Sequence, residues 1–186
     1  MRVKNWIAGW LLLAACGGER APEPAATRQP AAPEWAEPGV PFRFEIPAGW
    51  RVQRGHAGGE IAALVVAVPG TSGGAAIQIT ASPPMTAGVG PDVEVALNGV
   101  AEGVRAQGAS TYTSRGRRDV TVAGQPGREE SAEFAGANGQ TLATRTAVFS
   151  DGYRIYSISL VAPPGGIATH QGSYDAILRS FRLEPA

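Results

Sequence analysis

The sequence is short of reactive side chains. Its 186 residues include one cysteine and two histidines. No internal disulfide can form, and a metal site built on histidine and cysteine has little to draw on. Lys4 is the only lysine; every other basic residue is arginine. Charged residues make up 17% of the chain, with 16 basic groups against 16 acidic ones. That balance excludes the broad positive footprint of a nucleic-acid binder. No run is long enough to cross a membrane: the apolar stretch from Trp6 extends about ten residues, ~15 Å as a helix, half of the ~30 Å required. The string Gly70-Thr71-Ser72-Gly73-Gly74 connects the two strands of a hairpin and not a strand to a helix, so it is no nucleophile elbow, and no glycine-rich loop opens a helix. Glycine and proline, by contrast, are plentiful at 25 and 15. They argue for strands, turns and loops over a helical bundle.

The chain opens with the three parts of a secretory signal. Arg2 and Lys4 supply the positive start, Trp6 to Leu13 the apolar stretch, and Ala14 and Ala15 the small residues before a cleavage point. Leu13-Ala14-Ala15-Cys16 resembles the lipobox of bacterial lipoproteins. The resemblance implies cleavage between Ala15 and Cys16, a diacylglycerol thioether on Cys16 and N-acylation of the new terminus. Two or three acyl chains anchor a protein stably where one is marginal. Losing Arg2 and Lys4 would leave 14 basic against 16 acidic groups, a net charge of −2. Gly17, in place of Asp, favours the outer membrane, facing the periplasm, where the source has two membranes.

Three regions follow: a signal over 1–15, a lipidated cysteine with a Pro/Ala-rich tether over 16–40, and a globular domain over 41–186. Proline-rich spacers extend at ~3 Å per residue, so the tether reaches up to ~70 Å. Trp35 either docks on the domain or stays in solvent. A domain of roughly 145 residues buries ~70% of the surface its unfolded chain exposes and needs no disulfide or metal.

Within the domain, Phe42, Phe44 and Ile46 alternate with charged residues, the pattern of a strand wet on one face. Ile61 to Val68 and Ala75 to Ala81 read as a hairpin. Val93, Leu97, Val100 and Val104 recur at helical spacing, with Pro91, Asp92 and Glu94 at the start and Gly108 at the stop. Gly99 and Gly103 share one side of this helix, where they would permit a close approach to the sheet. Asp119 to Ala123 is a short strand and Gly124 to Gly127 a turn. Arg128 to Ala135, Gln140 to Phe149 and Tyr153 to Val161 form an antiparallel meander with tight turns at Asn138-Gly139 and Asp151-Gly152. Tyr174, Ile177, Leu178 and Phe181 define a closing helix capped by Ser173.

Three segments in this order, Phe44-Glu45-Ile46-Pro47-Ala48-Gly49-Trp50, Tyr156-Ser157-Ile158-Ser159-Leu160 and Tyr174 to Phe181, resemble the PsbP-like family over roughly 41–184. The resemblance implies an α+β fold, an antiparallel β-sheet flanked by helices in an α/β/α sandwich. Photosynthetic members support the calcium and chloride requirements of a water-oxidising complex. None of their functional residues transfers, because no matching metal cluster is present; Trp50 and the Tyr174 to Phe181 stripe carry over as core.

Candidate chemistry is sparse. His56 and His170 stand more than 100 residues apart, without acidic or cysteine partners at ligand spacing. Glu129 and Glu133 share one strand face and Glu130 takes the other, which reads as a solvated edge. Arg115, Arg117 and Arg118 form the one charge cluster, a loop offering anion or partner contact or simply answering the acidic strand nearby. No catalytic residue, cofactor or metal is expected. The expected function is that of a non-enzymatic, lipid-anchored envelope protein that binds a partner protein or envelope component, with the membrane engaged through Cys16. A small-molecule or ion-binding accessory, using space between sheet and helix, is the alternative.

Overall fold

The computed structural model describes residues 32–55, 63–70, 74–85, 92–136 and 139–184. The lipobox, Cys16, most of the tether, His56, Pro91 and Asn138 lie outside the described residues. Ten strands and two helices follow in chain order: β1 (Glu34–Trp35), β2 (Phe42–Glu45), β3 (Trp50–Arg54), β4 (Ala63–Pro69), β5 (Ala76–Ala81), α1 (Val93–Ala106), β6 (Thr111–Val122), β7 (Gln125–Ala135), β8 (Thr141–Ser150), β9 (Ile155–Ala162), α2 (Gly166–Ser180) and β10 (Arg182–Leu183).

Seven strands make an antiparallel sheet in the order β3-β4-β5-β9-β8-β7-β6, and β1, β2 and β10 make a small second sheet. The expected α+β architecture is present. The β4–β5 hairpin and the β7-β8-β9 meander pair as the alternation implies, because a side-chain period of two leaves one register that buries every apolar residue. Tyr156, Ile158 and Leu160 of β9 and Phe149 of β8 form the buried face. Against it pack Tyr174, Ile177 and Phe181, together with Phe42 and Phe44 of the small sheet. Helix α1 lies on β6, β7 and β8 and reaches the opposite face, to which Arg117 and Glu130 point.

The observed elements differ from the sequence-based expectations in four places. Folded structure extends upstream of position 41: Trp35 pairs with Phe44 in strand register and stacks on its ring at 5.4 Å. Strand β6 spans twelve residues, so Arg115, Arg117 and Arg118 lie on a strand, with a register shift between Ser114 and Gly116. The turn after it falls at Ala123-Gly124, with φ of 52° and 76°. A type I′ hairpin turn takes positive φ at both central positions, which Ala123 and Gly124 supply. Gly127 instead lies in β7 opposite Phe149, where an added Cβ would come 2.5 Å from the Val148 carbonyl oxygen. Helix α2 begins at Gly166, not beyond Ser173, so the Pro163-Pro164 pair precedes a helix start and His170 is helical.

The glycines of α1 also depart from expectation. Asp92 caps the helix, its Oδ1 accepting from the Glu94 and Val95 amides at 2.8 and 3.2 Å. Leu97 alone is fully buried. An added Cβ at Gly99 or Gly103 would meet nothing within 4 Å, so neither permits a close approach. They weaken the helix without a packing return.

Candidate functional site

Charge concentrates where β6, β7 and β8 run side by side. Glu129 and Glu130, adjacent on β7, point to opposite faces of the sheet, as alternation requires. Both are 1–2% exposed. The expectation of a solvated edge fails because β6 is long enough to cover β7 throughout.

On the α2 face, Glu129 gathers three donors. Arg145 of β8 approaches with Nη2 at 3.0 and 3.1 Å and Nε at 3.2 Å. Arg118 Nε donates at 2.8 Å and the Tyr174 hydroxyl at 3.2 Å. The Arg145 guanidinium also lies 5.0 Å from the Tyr174 ring centroid, a cation–π contact. Burial, followed by the Glu129 charge, pushes the Tyr174 phenol well above its ordinary value. It is a fixed hydrogen-bond donor at neutral pH. A carboxylate removed from water requires such partners, and two arginines with a tyrosine supply them.

On the α1 face, Glu130 accepts from Tyr112 Oη at 2.8 Å and Arg117 Nε at 3.0 Å. The other ends of Arg117 donate to Glu94 at 2.8 Å and Asn98 at 2.7 Å, both on α1. Arg117 is therefore a clamp between sheet and helix. Burial pushes the Glu130 carboxyl up, but hydrogen bonds from Ser114, Tyr112 and Arg117 outweigh it and hold it below the ordinary 4.5. A lowered folded-state value contributes stability that is present above the unfolded value and lost as pH falls through the folded one. Stability should thus decline on acidification below about pH 4.5, and Glu130→Gln should flatten that decline. Urea midpoints across the acidic range check this; an unchanged slope in the variant would assign the acid sensitivity elsewhere.

The three arginines of the sequence cluster divide by role. Arg117 is the clamp. Arg115, whose side chain is 57% exposed, bonds Glu133 at 2.6 Å, and Arg118, 61% exposed, bonds Glu129. Arg115, Arg118, Arg145, Ser131 and Gln171 border an open groove of about 400 Å³, with Glu129 at its base. His170 sits apart from it, edge-on to Trp50 at 5.5 Å. Among the described residues no group of three or more His, Cys, Asp or Glu side chains is placed to hold a metal. None of the described helices is long and apolar enough to cross a membrane.

Sequence reasoning missed the Glu129–Arg145–Tyr174 network. Its signal was Arg145, a charge standing two residues from Ala143 and Ala147 on the buried face of β8, which demands a partner.

The backbone arrangement is shared with solved structures. Cyanobacterial PsbP (CyanoP) from Synechocystis superposes with a TM-score of 0.60 at 15% identity, over 92% of this chain and 98% of that one. The fold is PsbP-like. The same PsbP-like arrangement occurs in LpqN of Mycobacterium tuberculosis, described as involved in cell envelope biogenesis (TM-score 0.58, 15% identity, 82% and 91% covered). It occurs again in the Ran-binding protein Mog1p of Saccharomyces cerevisiae (TM-score 0.55, 13% identity, 81% and 94% covered). No protein-family model and no curated protein sequence matches.

Proposed function

We propose that this chain is a lipid-anchored envelope protein whose PsbP-like domain binds a partner protein through the arginine-bordered groove. One observation carries the binding reading. The two carboxylates withdrawn from water, Glu129 and Glu130, are each engaged by arginine and tyrosine donors, so neither is free to exchange a proton with a substrate. Arg115 and Arg118 meanwhile present exposed guanidinium groups beside them. Such a groove suits the capture of a partner. The space between sheet and α2, which a small-molecule accessory would use, is filled by Tyr174, Ile177 and Phe181, each fully buried. LpqN and Mog1p, named for an envelope role and for a protein partner, support the same reading by analogy of fold.

The anchor rests on Leu13-Ala14-Ala15-Cys16, and the expected site is the outer membrane, facing the periplasm, of a two-membrane envelope. Cys16→Ala should leave an uncleaved precursor that takes up no labelled fatty acid. Normal maturation and membrane fractionation of that variant would reject lipidation. For the groove, a photo-crosslinker at Arg118 should trap an envelope protein that one at Glu102, on α1, does not. Equal labelling from both positions would reject the groove as the contact.

A further inference from the structure

The groove does not end at Arg118. It shares that residue with a second depression bordered by Val120, Thr121, Asp175, Leu178 and Arg179. This shares Thr121, Leu178 and Arg179 with a third, of about 580 Å³, that reaches Arg43 and Arg182. Together they form one trough between α2 and β6. From Arg115 to Ala123 it runs about 26 Å at ~3.3 Å per strand residue. Leaving aside Arg117, which turns to the α1 face, six arginines border it against three carboxylates, in a chain whose formal net charge is zero. Of those carboxylates Glu129 is buried under two guanidiniums, and Asp119 is held by Arg128. Among the described residues Arg179 has no carboxylate partner, and Arg182 donates only to the Arg179 and Phe181 carbonyls.

A second, independent observation sits alongside. Strand β6 is the edge of the seven-stranded sheet; among the described residues it pairs with β7 alone. Beyond the register shift at Ser114, Gly116–Val122 runs regularly with one side of its backbone open. An exposed edge is a template for a further strand.

We propose that the partner's contacting segment is an extended acidic peptide, added as a strand to β6 between Gly116 and Val122. Its alternate carboxylates then lie on the α2 face beside Arg118 and Arg179, and its intervening apolar residues point to the opposite face of the sheet. This rests on the groove being the partner site and names the chemistry of the partner. A second copy of this chain is disfavoured as occupant, because its own β6 would set arginine against arginine.

The test uses the full chain purified in detergent and a fluorescein-labelled peptide of alternating Glu and Val. The peptide is expected to bind, its Lys-Val counterpart not. Methylating alternate backbone nitrogens on the edge-facing side should weaken it at least tenfold with charge unchanged. Arg179→Gln with Arg118→Gln should weaken it similarly, while Arg51→Gln, on the distant β3, leaves it intact. Equal binding of the methylated peptide would overturn strand addition. Binding of heparin or phosphatidylglycerol vesicles without binding of the peptide would overturn the peptide in favour of a polyanion or a membrane. If the Arg118 crosslink forms in the envelope and the peptide fails, the groove survives as the partner site and only strand addition falls.

Discussion

Replacing Glu129 by leucine is expected to cost about 3–5 kcal/mol of stability, the penalty for leaving a buried charge without its partner. For a domain of this size that lowers Tm by on the order of 6–20 °C. The damage comes mainly from Arg145, whose side chain is 9% exposed. Arg118, at 61% exposure, turns into solvent once Glu129 is gone. Tyr174 keeps a weaker contact to the Ile158 carbonyl at 3.4 Å, and Asp175, 3.7 Å from Arg145, compensates it only in part. The reverse substitution is milder. In Arg145→Leu the carboxylate still accepts from Arg118 and Tyr174, so the loss should be smaller than for Glu129→Leu. Removing both charges should recover much of the loss, since apolar pairs of similar volume replace buried ion pairs at little cost. Urea unfolding of the two single variants and the double variant gives the comparison. A double variant no more stable than Glu129→Leu would show that a stranded Arg145 is not the source.

The same residues show how far the sequence could be read. Strand faces were legible, because alternation fixes which side chains share a face: Glu129 and Glu133 together, Glu130 opposite. Depth was not legible. Whether β7 is an edge or an interior strand depends on the length of β6, and that length was hidden by a run of arginines with a glycine among them. Gly116 looked like a loop; it follows a register shift and carries a φ of 146° inside a continuous strand. The start of α2 was hidden similarly. Pro163-Pro164-Gly165-Gly166 signals an interruption, and an interruption ends one element as well as it begins the next. Gly166 marks the site, since an added Cβ would lie 3.0 Å from that of Ala162. Trp35 was ambiguous because a two-residue strand has no periodicity to read. The trough drew on the first two, the length of β6 and the start of α2. Its arginines come from β2, β6, β8, α2 and β10, and only Arg115 and Arg118 share one charged stretch of the sequence.

Truncating Phe181 to alanine is expected to cost about 3–5 kcal/mol, in the range of buried aromatic deletions. The residue is wholly buried and sits where three layers meet. Its ring stacks on Phe42 of the small sheet at 5.2 Å and meets Phe149 and Tyr156 of the main sheet edge-on at 5.5 and 6.2 Å. It also ends α2, with φ −60° and ψ 131° turning the chain into β10. Among the described residues the two sheets share no strand pairing, so the packing around this ring is one of the contacts that attach them, beside the Arg54–Glu37 ion pair. Phe181→Ala should therefore loosen the layers unequally. Amide exchange should accelerate first in Phe42–Glu45 and Arg182–Leu183, which the small sheet holds, and least in β8 and β9, which keep neighbours on both sides. Leu178→Ala, only half-buried on the same helix, supplies the contrast and should cost less. Uniform acceleration throughout the chain would mean that the small sheet unfolds only with the whole domain. Arg182 follows Phe181 directly and Arg43 follows Phe42, so loosening this packing also shifts the arginines at one end of the trough. An acidic peptide should accordingly bind Phe181→Ala more weakly at temperatures where the variant is still folded. The core thus acts on the groove through the positions of two arginines that it does not itself contain.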